Sequence, residues 1–322
     1  FKQKTAYEIM PSLVGSEMCI RDRIGRGLVV EPFLANIVLA GGILNRAANR
    51  DQKAEWLTPL IAGELHAGLA FAEPQARFNI ADIATIAAAD GDRFLLNGRK
   101  NLVLNGATAD LLIVPARTSG KQTDRDGVSL FAIPADTPGI KCNGYPTVDA
   151  LQAADLSFDN VPIPEDALLG ELHKGFDTFS RTIDDATLAV SAEAVGIMQV
   201  MHDKTVEYTK TRKQFGVPIG TFQALQHRMV DTMTACEQSR SLLYWAVMLA
   251  AADDPSSGQA ISAIKYQVGS AGIHVAREAV QLHGGMGVTW ELDIGHYLKR
   301  ITAIDILFGN ADYHLDRFAD NT

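Results

Sequence analysis

The chain has 322 residues, 47% of them hydrophobic and 21% charged, with a formal charge of −9. That length and composition describe an ordinary globular protein with room for two or three cored domains. The acidic balance disfavours nonspecific nucleic-acid binding, which draws on a basic surface, but leaves room for an anionic ligand held by local basic residues. No apolar run reaches 18 residues, so no membrane span is predicted. Cys19, Cys142 and Cys236 show neither zinc spacing nor a disulfide framework, which fits a reducing, cytoplasmic setting.

In chain order, residues 1–23 have no steady period. Lys2 and Lys4 give a basic start, but Glu8 and Glu17 interrupt the apolar part, which argues against a secretory signal. A disordered tail is a second reading. The third rests on a resemblance: reverse-translated, Phe1 to Ile9 and Ser12 to Arg23 resemble two parts of a sequencing-library adapter, with Met10 and Pro11 as the index between them. On that reading residues 1–23 are a non-native leader outside the fold, and the natural amino terminus is missing. Residues 24–66 read as helical, with Asp51 as a candidate cap and Gly63 near a helix end. Residues 67–168 change period. Short strand-like runs alternate with turn signals at Asp90-Gly91, Asn97-Gly98, Asn105-Gly106, Asp126-Gly127 and Pro138-Gly139, which predicts an antiparallel barrel or sandwich. Residues 169–322 return to helical period in segments 173–213, 221–253, 257–283 and 290–319, a four-helix bundle. Trp245 and the run Leu242–Ala252 are assigned to its core.

Two stretches carry chemistry. In YTKTRKQFGVPIGTFQ, the residues Arg212, Gln214, Phe215, Gly216 and Gln223 cluster at a helix–turn–helix junction. A guanidinium at a helix end presents several donors to an oxyanion, and the start of the next helix favours anions. A charged helix end followed by a plain turn is the equal alternative. In QLHGGMGVTW, the residues Gly284, Gly285 and Gly287 allow close backbone approach or positive φ, and Gln281 offers both donor and acceptor to a heterocycle edge. This glycine cluster follows a helix rather than a strand, so it is no βαβ dinucleotide fingerprint. The histidines lack metal-ligand spacing, and no metal is expected.

Taken together, YxxxRxQFGxPIGxxQ and QLHGGxGxT resemble the acyl-CoA dehydrogenase family of flavoproteins. The helix–β–helix order, AFAEP at 70–74 and DGDRFLLNGRKNLVLNG at 90–106 are similar too. The resemblance covers residues 24–322. It implies an α+β fold: a truncated N-terminal helical remnant, a central β domain and a C-terminal four-helix bundle. It also implies FAD-dependent α,β-dehydrogenation of an acyl-CoA thioester, in which a carboxylate removes the α proton and flavin N5 takes the β hydride. Carried over by residue, Arg212 would contact the flavin diphosphate, Gln214, Phe215 and Gln223 would line the flavin cluster, and Gln281, Gly284 and Gly285 would hold the adenosine end. In the family these groups serve a neighbouring subunit's flavin, which implies a tetramer, either a homo-oligomer or a pairing with a homologous second subunit. Phe71, Ala72 and Glu73, with Leu102 to Asn105 and Leu104 among them, would approach the isoalloxazine through backbone. Electrons would leave to an electron-transferring flavoprotein.

The departures bear on the base. The family's glutamate in a YEGT-like motif aligns with Phe308, in Leu307-Phe308-Gly309-Asn310. A second family location, on the first bundle helix, aligns with Ala186, next to Asp185 and two residues from Asp184. Asp185 is the first candidate base and Asp184 the second, against a role as solvated surface or as partners for Arg181. The family's TEPGAGSD reads AEPQARFN and its WITN reads LVLN, so the flavin-bonding hydroxyls are absent. Arg77, in place of a small turn residue, is a candidate for a CoA phosphate or substrate carboxylate, against a surface salt bridge. A non-catalytic subunit that completes a neighbour's flavin site is the rival reading.

Overall fold

The structure, a computed structural model, describes residues 13–320. Residues 1–12, the first part of the sequence-assigned leader, lie outside the described residues. The chain divides into two compact units, residues 30–186 and residues 187 onward joined by the segment before Val30.

The first unit opens on a π-helical stretch, Leu34–Gly41, that runs into α2 (Gly42–Ala47), while α1 (Leu13–Gly27) belongs to the other unit. Leu34, Leu39, Ile43 and Leu44 are buried along this apolar run. The next helical run is capped by Asn49 rather than Asp51. Asn49 Oδ1 accepts from the Gln52 N–H, and Gln52 Oε1 accepts from the Asn49 N–H, each at 2.9 Å, a reciprocal capping box. Asp51 sits in the first turn, where its charge complements the helix dipole. The run ends with α3 (Thr58–Ala62) at Gly63, whose φ of +76° closes it as the sequence predicts.

The sheet that follows is mixed, and it does not close. Its strands are β1 (Ala67–Leu69), β2 (Ile86–Asp90), β3 (Arg93–Leu104), β4 (Leu111–Arg117), β5 (Val128–Pro134), β6 (Ile140–Pro146), β7 (Gln152–Pro164) and β8 (Leu168–Leu169). The order is β6-β7-β3-β2-β4-β5-β8, with β1 also on β4. The pairs β1–β4 and β2–β4 are parallel and the rest antiparallel, so the predicted antiparallel barrel is corrected to one open sheet of eight strands. The cause lies in β4. LLIVPAR is buried along its whole length, so it takes neighbours on both edges, whatever their direction. The core around it holds Leu96, Val103, Leu112, Val114, Phe131, Ile133, Leu156 and Ile163.

Four of the five turn signals fall where strands end. Asn97-Gly98 does not: it is a bulge inside β3, at a register shift between Leu96 and Gly98. Gly98 has φ +153° and backs onto Thr85, where a Cβ would sit 2.7 Å from the Thr85 Cα. Strand β6 escapes the periodic reading because IKCNGYP is a mostly exposed edge strand without alternation.

The second unit is helical. The long helix α4 (Phe176–Thr211) begins in the first unit and continues here, followed by α5 (Gln223–Ala251), α6 (Ser257–His283), α7 (Ile294–Ile306) and α8 (Ala311–Asp320). The predicted segment 290–319 is thus two helices, broken at Phe308 and Gly309, where φ is +60° and +112°. On α5, Leu243, Ala246 and Val247 are buried, but Tyr244, Trp245 and Met248 are exposed, so Trp245 is not core.

Helix α1 (Leu13–Gly27) packs within this unit, and residues 13–23, assigned from sequence to the leader, lie in it. Its Arg21 guanidinium is paired with Glu193, which also accepts from Arg300 Nε at 2.5 Å and Nη2 at 3.0 Å. All three side chains are buried. Glycines let the backbones meet beside them: a Cβ on Gly25 would collide with the Glu193 carbonyl, and one on Gly196 with the Asp22 carbonyl. Removing the shared anion leaves two buried guanidinium groups without it. Glu193→Gln is therefore expected to cost about 3–5 kcal/mol. A urea midpoint unchanged from wild type would refute that role.

Candidate functional site

In the helical unit, the end of α4 and the end of α6 are locked side by side. Tyr208 stacks on His283 with ring centroids 4.4 Å apart, and its hydroxyl donates to the His283 carbonyl at 3.4 Å. His283 Nδ1 lies 2.8 Å from the Ala279 carbonyl, which fixes that nitrogen as the protonated one. Burial pushes the pKa of His283 down, so the ring is neutral at pH 7. This contact brings two predicted groups to adjacent helix ends: Arg212, one turn beyond Tyr208, and Gln281-Leu282-His283-Gly284-Gly285.

Each group is open. Arg212 is exposed and forms no ion pair among the described residues. Its carbonyl accepts from the Ile219 N–H at 2.8 Å, closing a small hairpin of β9 (Lys213–Gln214) and β10 (Val217–Pro218). The hairpin tip is Phe215 at φ +54° and Gly216 at φ +83°, both left-handed as a tight two-residue turn demands. Phe215 is 92% exposed, an aromatic ring presented to the outside on a constrained backbone. Gln214, Gln223 and Gln281 are exposed as well. The glycines divide by cause. Gly284 has φ +61°, and both it and Gly285 have open space where a Cβ would sit, whereas Gly287 is crowded, with Val280 O 2.6 Å from an added Cβ.

In the sheet unit, Phe71 and Ala72 follow β1 and lie beside the end of β3. The Asn101 N–H donates to the Ala72 carbonyl at 2.9 Å. Beneath lies a pair that sequence reasoning did not single out. Lys100 Nζ donates to Glu73 Oε1 at 2.7 Å and to the Phe71 carbonyl at 3.4 Å, and both charged side chains are buried. Glu73 also accepts from the Ala84 and Thr85 N–H groups and from Gln75. Burial alone would raise the Glu73 carboxyl; the Lys100 charge and these hydrogen bonds overcome it and hold the carboxyl below its ordinary value. The hydroxyl-free Ala72 and Leu104 offer backbone groups only. Arg77 is exposed at φ +48° and makes no ion pair among the described residues, so the salt bridge weighed against its ligand role is not formed.

The candidate bases sit on the first part of α4. Asp185 is half-buried and ion-paired with Arg46, which also donates to Thr182 Oγ1 at 3.2 Å. Asp184 is half-buried, and Ala186 is buried. Arg46, on α2, was not foreseen; an isolated arginine in an apolar helix is the one sequence signal that points to it. Among the described residues no group of His, Cys, Asp or Glu comes together to hold a metal.

Residues 68–161 match the acyl-CoA dehydrogenase middle domain, and residues 173–322 the acyl-CoA dehydrogenase C-terminal domain. The chain belongs to the acyl-CoA dehydrogenase family. It is 30% identical to a 3-(aryl)acrylate reductase of Clostridium sporogenes over 84% of this chain and 72% of that one. It is 31% identical to the mitochondrial short-chain specific acyl-CoA dehydrogenase of Bos taurus over 86% of this chain and 67% of that one. The fold matches the FAD complex of PigA with a TM-score of 0.89 at 26% identity, covering 94% of this chain and 81% of that one.

Within this acyl-CoA dehydrogenase family member, the turn carrying Phe308 is held by two buried side chains, Lys265 and His314. Lys265 is buried and donates to the carbonyls of Asp305 at 2.8 Å and Gly309 at 2.5 Å. Burial brings its pKa down to about 8 against the pull of Asp305. His314 Nε2 lies 3.1 Å from the Phe308 carbonyl, which makes that nitrogen the donor, and Nδ1 is buried with no partner. Burial, with the nearby Lys265 charge, pushes the His314 pKa down to about 3.

The sign of that shift sets a pH dependence. The unfolded histidine takes a proton below about pH 6.5, while the folded one resists it down to about pH 3. Its stabilisation is complete above pH 6.5 and is lost on acidification through that window, at roughly 1.4 kcal/mol per pH unit. Unfolding free energies measured from pH 7 to 4 should fall more steeply in wild type than in His314→Gln; parallel curves would refute this.

Proposed function

We propose that this chain works in FAD-dependent α,β-dehydrogenation of an acyl-CoA thioester, as an oxidoreductase acting on CH–CH donors. The observation that carries the reading is the Tyr208–His283 stack, which aligns an exposed, unpaired guanidinium with an open glycine turn. That donor set fits a dinucleotide: a fork for the diphosphate at Arg212, free backbone at Gly284 and Gly285, and the Gln281 amide for a purine edge. Bound FAD supplies the hydride acceptor. The protein's part is position and electrostatics. Phe215 offers a flat apolar surface to the flavin of a neighbouring subunit. The Glu73–Lys100 pair stiffens the Phe71–Ala72 and Leu102–Asn105 segments that face the chain's own flavin. Asp185 takes the α proton of the substrate, and Arg77 meets a phosphate or carboxylate of it.

GRGLVVEPFLANIVLAGGIL and FGNADYHLDR resemble the small subunit of pimeloyl-CoA dehydrogenase. A medium-length or dicarboxylic acyl-CoA is the substrate class that follows, with a homologous second subunit and an electron-transferring flavoprotein as partners. A second reading is favoured by one observation. Asp185 is committed to Arg46, and Phe308 occupies the family's other base position, so the carboxylate could come from the second subunit while this chain completes its flavin site.

Two measurements test these readings, the first their shared flavin site and the second the source of the base. Arg212→Ala should lower FAD retention at least tenfold on gel filtration; full retention would sink the dinucleotide assignment. Anaerobic titration of the flavin-loaded complex with a panel of acyl-CoAs should bleach the visible absorption band of the flavin. If Asp185 is the base, Asp185→Asn slows bleaching by about a hundredfold or more, in line with general-base contributions. An unchanged rate in both Asp185→Asn and Asp184→Asn would favour the second reading, in which the partner supplies the base.

A further inference from the structure

One cleft lies beside the Glu73–Lys100 pair, with Lys100 and Asn101 in its wall. It opens on the sheet where β3, β7 and β6 run side by side, has a volume of about 350 Å³, and is lined by Pro74, Arg99, Asn101, Lys141, Asn143 and Asp155, among others. That volume is at the lower end of the range for small-molecule sites, about 300–1,000 Å³. Register explains the grouping. Arg99 pairs with Ser157 across β3 and β7, and Lys141 pairs with the same Ser157 across β6 and β7, so the two cations flank one residue from opposite sides.

Three features make this cleft more than a surface dent. First, Arg99 and Lys141 are exposed and form no ion pair among the described residues, although the chain as a whole is acidic. Second, the neighbouring charges are already satisfied. Lys100 is neutralised by Glu73, and the Asp155 carboxylate accepts from the Tyr145 hydroxyl at 2.8 Å and the Leu102 N–H at 3.1 Å. Third, the side-chain oxygen of Asn101 is buried with no hydrogen-bond partner. A buried acceptor left unmatched costs free energy, and a ligand donor would remove that cost.

We propose that this cleft binds a small organic phosphate that also carries an N–H or O–H donor, a nucleoside monophosphate being the smallest common class with both. The Arg99 fork and the Lys141 ammonium take the phosphate, and Asn101 Oδ1 takes the donor. Asp155, held by its two donors, limits how close a second anionic group comes, which favours one phosphate over a polyanion.

The test uses the full chain and isothermal titration with AMP, inorganic phosphate and adenosine in low-salt buffer. AMP should bind, and at least tenfold more tightly than either inorganic phosphate or adenosine, with affinity falling as salt rises. The double variant Arg99→Ala/Lys141→Ala should weaken AMP at least tenfold. Asn101→Leu should weaken AMP several-fold while leaving inorganic phosphate unchanged, a separation that general loss of structure would not produce. Circular dichroism confirms that each variant is folded. No heat with AMP, equal affinity for inorganic phosphate and AMP, or AMP affinity unmoved in the double variant would each overturn the proposal. Flavin retention is read in parallel, because the site stands whether or not the dehydrogenase reading does.

Discussion

The stack of Tyr208 on His283 is the contact that holds two helix ends of the helical unit together. It is a modest interaction by area, but it decides where two helices stop relative to each other. The imidazole is neutral and buried, so it packs as a flat ring rather than as a cation needing water. Because its Nδ1–H is spent on Ala279, the ring has one orientation, and the chain leaves it directly into the left-handed Gly284. Arg212 and the glycine turn then face outward without competing partners. A helix end that had found its own salt bridge would not be available for a phosphate.

The sheet unit solves a related problem with charge. Lys100 and Glu73 lie where an apolar pair would pack as well or better, since desolvating two ions is expensive. What the ions add is direction. Glu73 gathers the Ala84 and Thr85 amides, and Lys100 reaches the Phe71 carbonyl, so three chain segments are fixed by one pair of side chains. Such fixing matters most where, as at Ala72 and Leu104, only backbone remains to meet a ligand.

Much of this was legible in the sequence, and the misses have physical reasons. Helix positions and four of five turns followed from period and from Gly with Asn, Asp or Pro, because those signals are local. Asn97-Gly98 looks like a turn but is a bulge, since the need for Gly there comes from Thr85, a residue on another segment. The mixed direction of the sheet depends on which strands β4 recruits, and that is a long-range choice. Arg212, Gln281 and the glycines were singled out by resemblance, and the Tyr208–His283 stack joins the two helix ends where they lie. Arg46, Lys100, Lys265 and His314 were not found, because a buried ion or a neutral histidine is indistinguishable from a surface one until its surroundings are known.

The crossing of α1 over α4 couples steric room to charge. Gly25 faces the carbonyl of Glu193, and Gly196 faces that of Asp22, so the two helices touch backbone to backbone at the same level where Arg21 reaches Glu193. Even one methyl group at either glycine would wedge the helices apart and draw the guanidinium away from its counter-ion. The steric fit at Gly25 and Gly196 and the ion pair of Arg21 with Glu193 are therefore one coupled feature, in which a change at one position disturbs the others.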